Sequence, residues 1–355
     1  MSYTPLNAPV LTGLLGDREI AACFSVKVEV AAWALFESAL ARAQAGVELI
    51  PAESARAIAQ TCATFEADMA AITEATARDG VPVPEFVRQM RVALPEPHAK
   101  YLHRGATSQD VIDTSLILRL RPVIEKLRAR LEALQVAFDS LDFRFGAQQI
   151  MARTRMQMAL PVTVSRRFRD WREPLGRHVE RLGEISPRLL RLQLGGPAGT
   201  LNEMAGKGEE VAIGMAGILG LSNPSGNWHA QRDAVVEFTS LLSLISGTLG
   251  KFGQDIALMA QNEFGEVSLS GTGGSSAMAH KQNPVKAEAL VTLARFNASL
   301  VSGMHQSLIH EQERSGSGWA LEWMLLPQIC IAAGASLRIA LELAGSITAM
   351  GSDPA

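Results

Sequence analysis

The amino-acid sequence predicts an all-α fold: an N-terminal helical domain, residues 1–110, followed by an elongated five-helix bundle, residues 111–355. Three observations lead there. Alanine and leucine abound while aromatic residues make up only 5% of the 355 residues, a balance that suits helices better than packed sheets. Apolar residues recur every three or four positions over long stretches. Helix breakers are gathered into a few short segments, and no block is rich in strand formers.

The elements follow in order. Residues 25–49 are alanine-rich and periodic, and residues 51–77 read as one or two helices with Pro51 at a start. Asp79-Gly-Val-Pro-Val-Pro84 and Leu94-Pro-Glu-Pro97 frame a short helix over 85–92. The pattern then lengthens. Ile112, Leu116, Leu120, Val123, Leu127, Leu131, Leu134, Phe138 and Leu141 mark a helix of about thirty residues, about 45 Å long. An arginine-rich helix is expected over 164–193. Val235, Phe238, Leu242, Ile245, Leu249, Phe252, Ile256 and Met259 form a coiled-coil-like seam. Its length and apolarity place it in an oligomeric core, with Gly247, Gly250 and Gly253 allowing another helix close. Runs at 287–312 and 319–347 complete the five.

Composition excludes several functions. Basic and acidic residues number 33 and 36, for a net charge of −3, so no global field recruits nucleic acid or an anionic membrane. Cys23, Cys62 and Cys330 are odd in number and far apart, which speaks against a disulfide framework or zinc site. Charged residues interrupt the apolar stretches and no signal segment opens the chain, so a cytoplasmic protein is expected.

The most informative stretch is Gly271-Thr-Gly-Gly-Ser-Ser-Ala-Met-Ala-His-Lys-Gln-Asn-Pro284. Its glycines allow movement, while Lys281 and Asn283 offer a charge and an amide to an anion. Four more polar clusters sit at helix ends. His103-Arg-Gly-Ala-Thr-Ser-Gln-Asp110 sets Thr107 and Ser108 ahead of the first long helix, where hydroxyls and free N–H groups cradle a carboxylate or simply cap the helix. Ala152-Arg-Thr-Arg155 offers two arginines, as anion ligands or surface charges. In Trp228-His-Ala-Gln-Arg-Asp233, Arg232 is a ligand or half of a local ion pair. Arg314, in Glu311-Gln-Glu-Arg314, is an anion ligand or a C-terminal cap.

The 271–284 stretch resembles the Gly-Ser-Ser-x-Met-Pro-x-Lys-x-Asn-Pro loop of the fumarase/aspartase superfamily, with Ala279 where that pattern has proline. The order of the other clusters matches across nearly the whole chain. Gly105-Ala-Thr-Ser-Gln-Asp110, Gly195-Gly-Pro-Ala-Gly-Thr-Leu201 and Trp228 to Asp233 are most similar to the branch of bacterial cycloisomerases that lactonise 3-carboxy-cis,cis-muconate in protocatechuate breakdown. The resemblance implies a homotetramer with each active site shared between subunits, no metal and no organic cofactor. A third, C-terminal domain is expected to be absent or vestigial. It further implies that Ser275, on a mobile loop over 265–284, transfers the α-carbon proton. His103, Thr107, Ser108, Arg155, Arg232, Lys281, Asn283 and Arg314 are then the residues that bind a small tricarboxylate.

Arg155 separates the branches. Relatives that expel an amine or hydroxide resemble Gly-Arg-Thr-His here, and need a titratable donor. Arginine cannot serve as one near neutral pH. A carboxylate nucleophile is already ionised, and a guanidinium that grips it at two points suffices. The alternatives are another lyase of this superfamily, such as one acting on adenylosuccinate, or a non-catalytic helical scaffold.

Overall fold

A computed structural model describes every residue except 1–3, 5, 7, 272, 275–277, 279–281 and 353–355. Six helices come first: α1 (Thr12–Leu15), α2 (Arg18–Ala22), α3 (Val26–Gly46), α4 (Ala52–Thr64), α5 (Met69–Asp79) and α6 (Val83–Ala93). Local chemistry sets their ends. Asp17 accepts from the Ile20 N–H at the start of α2, and Asp68 from those of Ala70 and Ala71 at the start of α5. Gly80, at φ 76°, closes α5 in the left-handed region.

Next come α7 (Ser108–Phe145), α8 (Val164–Leu189), the shorter α9 (Gly208–Leu219), α10 (Asp233–Met259), α11 (Val285–Gln306) and α12 (Ser317–Ser346). The five long ones run up and down. Each packs on its neighbour in the series α7, α8, α10, α11, α12, and α12 returns to α7. The resulting bundle has a head end, where α7, α10 and α12 begin, and a tail end, where they finish. Helix α3 docks against α7 and α9 with Trp33, Phe36 and Leu40 buried.

The helices agree with the periodicity. Their boundaries shift at several points: α7 runs to 38 residues, α8 stops at Leu189 before the expected 193, and α11 stops at Gln306, six residues before the expected 312, where the Ser307 hydroxyl turns back onto the Met304 carbonyl. Two ribbons were not foreseen. Strands β1 (Gln149–Thr154) and β2 (Gln157–Thr163) form a hairpin, and β3 (Val267–Leu269) pairs with β4 (Ile347–Met350).

The seam corrects an expectation. All eight of its residues are buried within the single chain, so its coverage does not require a second copy. Helices α8, α11 and α12 cover it, with Phe252 meeting Phe138 and Trp171 edge-on at 5.0 and 4.9 Å. Each such side chain contributes about 1.5–3 kcal/mol by leaving water. Gly250 and Gly253 do face a close helix, α11: a Cβ on Gly253 would stand 2.5 Å from the Ala287 carbonyl oxygen. Gly247 meets nothing within 4 Å. Helices α10 and α12 are also long and apolar enough to pass for membrane spans, contrary to the expectation from charge spacing; most of each lies inside the fold.

Candidate active site

At the head end, the start of α7 is tied to everything around it by one carboxylate. Asp110 accepts from the Thr107 N–H, from the Gly195 and Gly196 N–H groups at 2.8 and 2.9 Å, and from His229 Nε2 at 2.8 Å. It is fully buried. Thr107 and Asp110 thus form a reciprocal capping box, the Thr107 side chain taking the Asp110 N–H while Asp110 takes that of Thr107, and Thr107 and Ser108 stand half-exposed at a helix N-terminus. Glycine is required opposite. Gly196 has φ 69°, and a Cβ there would lie 2.8 Å from the Gly105 carbonyl oxygen.

Beneath this cradle lies a second network. Arg232 sits on Asp113 through Nη1 at 2.7 Å and Nη2 at 3.1 Å, and on Glu322 through Nε at 2.8 Å and Nη2 at 2.5 Å. Trp319 donates to Asp113 at 3.0 Å, and His310 stands 3.7 Å from Glu322. The three ions pin the starting ends of α7, α10 and α12 together. Burial opposes the charge on Arg232, but the two carboxylates outweigh it and raise its pKa; Glu322 is held below the usual carboxylate range by Arg232, against the cost of its own burial. Arg232 was expected to bind substrate. Its guanidinium is instead engaged inside the fold with no exposed surface, and its role here is to hold the cradle.

The remaining head-end residues stand as follows. His103, at φ 60°, places Nδ1 2.6 Å from Glu37 Oε1. Arg314 donates from Nη2 to the Pro197 carbonyl at 3.0 Å, so it reaches the Gly195–Gly199 turn that Asp110 anchors. His103, Thr107, Ser108 and Arg314 thus share one end of the bundle.

Arg155 and Asn283 lie at the other. Arg155 and Met156 form the tip of the β1–β2 hairpin, with φ 50° and 67°, and both are exposed. Arg153 bonds both oxygens of Glu266 at 2.8 Å and ties the hairpin to the chain leaving α10. The backbone of Asn283 exchanges two hydrogen bonds with Gly273, at 3.0 and 2.8 Å, closing the neck of the glycine-rich stretch. Ser275 and Lys281 lie outside the described residues. Helix α10, with 27 residues, separates the two ends by about 40 Å. One chain does not bring the two groups together.

Asp110, His229, Asp113 and Glu322 are not among the ligands that the sequence offers. The signal was available for two of them, since Asp110 and Asp113 fall one turn apart on the buried face of α7.

A mostly helical bundle with these terminal loops defines a class. Residues 8–297 match the model of the Lyase family, and the chain belongs to that family, within the fumarase/aspartase superfamily. Its relatives are more particular. The chain is 39% identical over 314 residues to the 3-carboxy-cis,cis-muconate cycloisomerase of Pseudomonas aeruginosa, an alignment covering 87% of this chain and 68% of that protein. Among solved structures, the 3-carboxy-cis,cis-muconate lactonizing enzyme of Pseudomonas putida superposes with a TM-score of 0.90 at 35% identity, over 96% of this chain and 77% of the other. A fumarate lyase from Mesorhizobium sp. BNC1 superposes with a TM-score of 0.89 at 33% identity, over 95% and 76%.

Proposed function

We propose that the protein is a cofactor-free cycloisomerase that converts 3-carboxy-cis,cis-muconate to its γ-lactone, 4-carboxymuconolactone, in the cytoplasm. The observation that carries this reading is the 39% identity to a cycloisomerase of that name over 87% of the chain. In the forward direction a substrate carboxylate oxygen attacks the carbon β to a second carboxylate. The electron pair moves to the α-carbon as an aci-carboxylate dianion, and Ser275 delivers the proton that quenches it. Arg155 orients the attacking carboxylate through a planar two-point grip. His103, Thr107, Ser108, Lys281, Asn283 and Arg314 hold the others and the developing charge.

The active site is shared in a homotetramer of bundles spanning 111–355, each carrying its helical domain over 1–110. The separation of the two residue groups supports this, because an antiparallel neighbour would set its tail end against this chain's head end. Exposed apolar residues on the hairpin, Met156, Met158 and Leu160, support it further.

Two measurements test the proposal. Purified protein added to 3-carboxy-cis,cis-muconate is expected to consume the conjugated-diene absorbance; a stable absorbance overturns the activity. Thr107→Ala and Ser275→Ala variants, each inactive alone, are expected to regain partial activity when refolded together. A monomer with full activity in sedimentation refutes the sharing.

A further inference from the structure

The head-end cradle contains a charge that the sequence did not connect to it. Glu37 lies in the middle of α3, 66 residues before His103, and its side chain has no exposed surface. The 2.6 Å contact joins its Oε1 to His103 Nδ1. A carboxylate only accepts, so Nδ1 carries a hydrogen. The other oxygen, Oε2, is buried without a hydrogen-bond partner, so the contact with His103 is the one hydrogen bond of this side chain among the described residues. A neutral ring would leave a buried charge unmatched, and the stable form of the pair is carboxylate with imidazolium.

The surroundings agree. His103 is 15% exposed and no described residue hydrogen-bonds its Nε2. Around the ring stand Glu37 from α3, Asp110 from α7 and Arg91 from α6; burial works against the ring's charge and so does Arg91, but the two carboxylates prevail and its pKa lies above the ordinary imidazole value. The left-handed backbone at His103, followed by Gly105 at φ 71°, turns the chain sharply into α7 and fixes where the ring sits.

We infer that Glu37 is a positioning residue for the lactonisation: it holds His103 as an imidazolium with Nδ1 turned inward, so that Nε2–H is offered to a substrate carboxylate at the head of α7. The inference rests on the cycloisomerase reading for its substrate, and on the contact geometry and charged surroundings of the ring for the pair. Glu37 touches no substrate itself.

The test uses the full-length protein with Glu37→Gln and Glu37→Asp, and reads two quantities. The first is the midpoint of the His103 ring titration by NMR, assigned with a His103→Gln variant. The second is the pH profile of kcat/KM. In the wild type the ring is expected to titrate above the ordinary histidine value, and kcat/KM to fall as pH rises through that midpoint. In Glu37→Gln both are expected to move to lower pH together, with kcat/KM above the midpoint falling about tenfold for each pH unit of movement and recovering in acid. Glu37→Asp should lie between. A ring that moves while the rate profile stays overturns the role, as does a wild-type ring titrating at or below the ordinary value; that last measurement stands even if Glu37→Gln fails to fold. The ring titration needs no turnover, so an inactive wild type whose His103 still depends on Glu37 overturns the function and leaves the pair.

Discussion

At the head end three helix starts are locked by Arg232, Asp113 and Glu322 with no exposed side-chain surface, or almost none. At the tail end Arg155 stands exposed on a hairpin tip. Both ends carry arginines that the sequence offers as anion ligands, and only burial tells them apart. An arginine between two buried carboxylates builds a surface for others to use, whereas one at an exposed tip is free to touch what arrives. The comparison teaches that substitution of the buried Arg232 should act through stability and that of the exposed Arg155 through turnover.

The largest effect is expected at Arg232. Arg232→Met leaves two carboxylates buried without their partner, and should lower unfolding stability by about 3–5 kcal/mol in a urea titration. A variant as stable as wild type would break the contrast. Next in size is Ser275→Ala, expected to reduce kcat by at least about a hundredfold with substrate binding and the urea midpoint little changed. Ser276→Ala should be milder, and equal losses would remove the assignment of the proton to Ser275. The smallest is Arg155→Lys, which keeps the charge but loses the planar grip, and should cost about tenfold in kcat/KM at unchanged stability, with Arg155→Met worse. Wild-type lactonisation by Arg155→Met would remove the grip on the attacking carboxylate from Arg155.

These contrasts also mark what the sequence can express. The long helices were legible because apolar spacing of three and four is a property of the chain itself, and residues from Ile112 to Leu141 and Val235 to Met259 carry it without interruption. The coverage of the seam was not, since periodicity says that a face is buried and not by which chain. Arg232 misled because an arginine beside an aspartate reads alike whether it meets a ligand or two carboxylates from helices 90 and 119 residues away. Glu37 was invisible for the same reason: an acid in an alanine-rich helix announces no partner. The hairpin escaped notice because its tip is Arg155-Met156, where the usual signal for two successive positive φ angles is Asn-Gly.

That tip has a consequence for anyone who would harden this protein against heat. Two residues with side chains are held where L-amino acids are each disfavoured by roughly 1–2 kcal/mol, so a selection for thermal tolerance alone should find Asn-Gly there readily and gain from it. The survivors would have a more comfortable turn and no guanidinium at its apex. With Arg155 in its proposed role, robustness and turnover would be set in opposition at a single dipeptide, and a library scored first for melting temperature should drift away from activity at this hairpin.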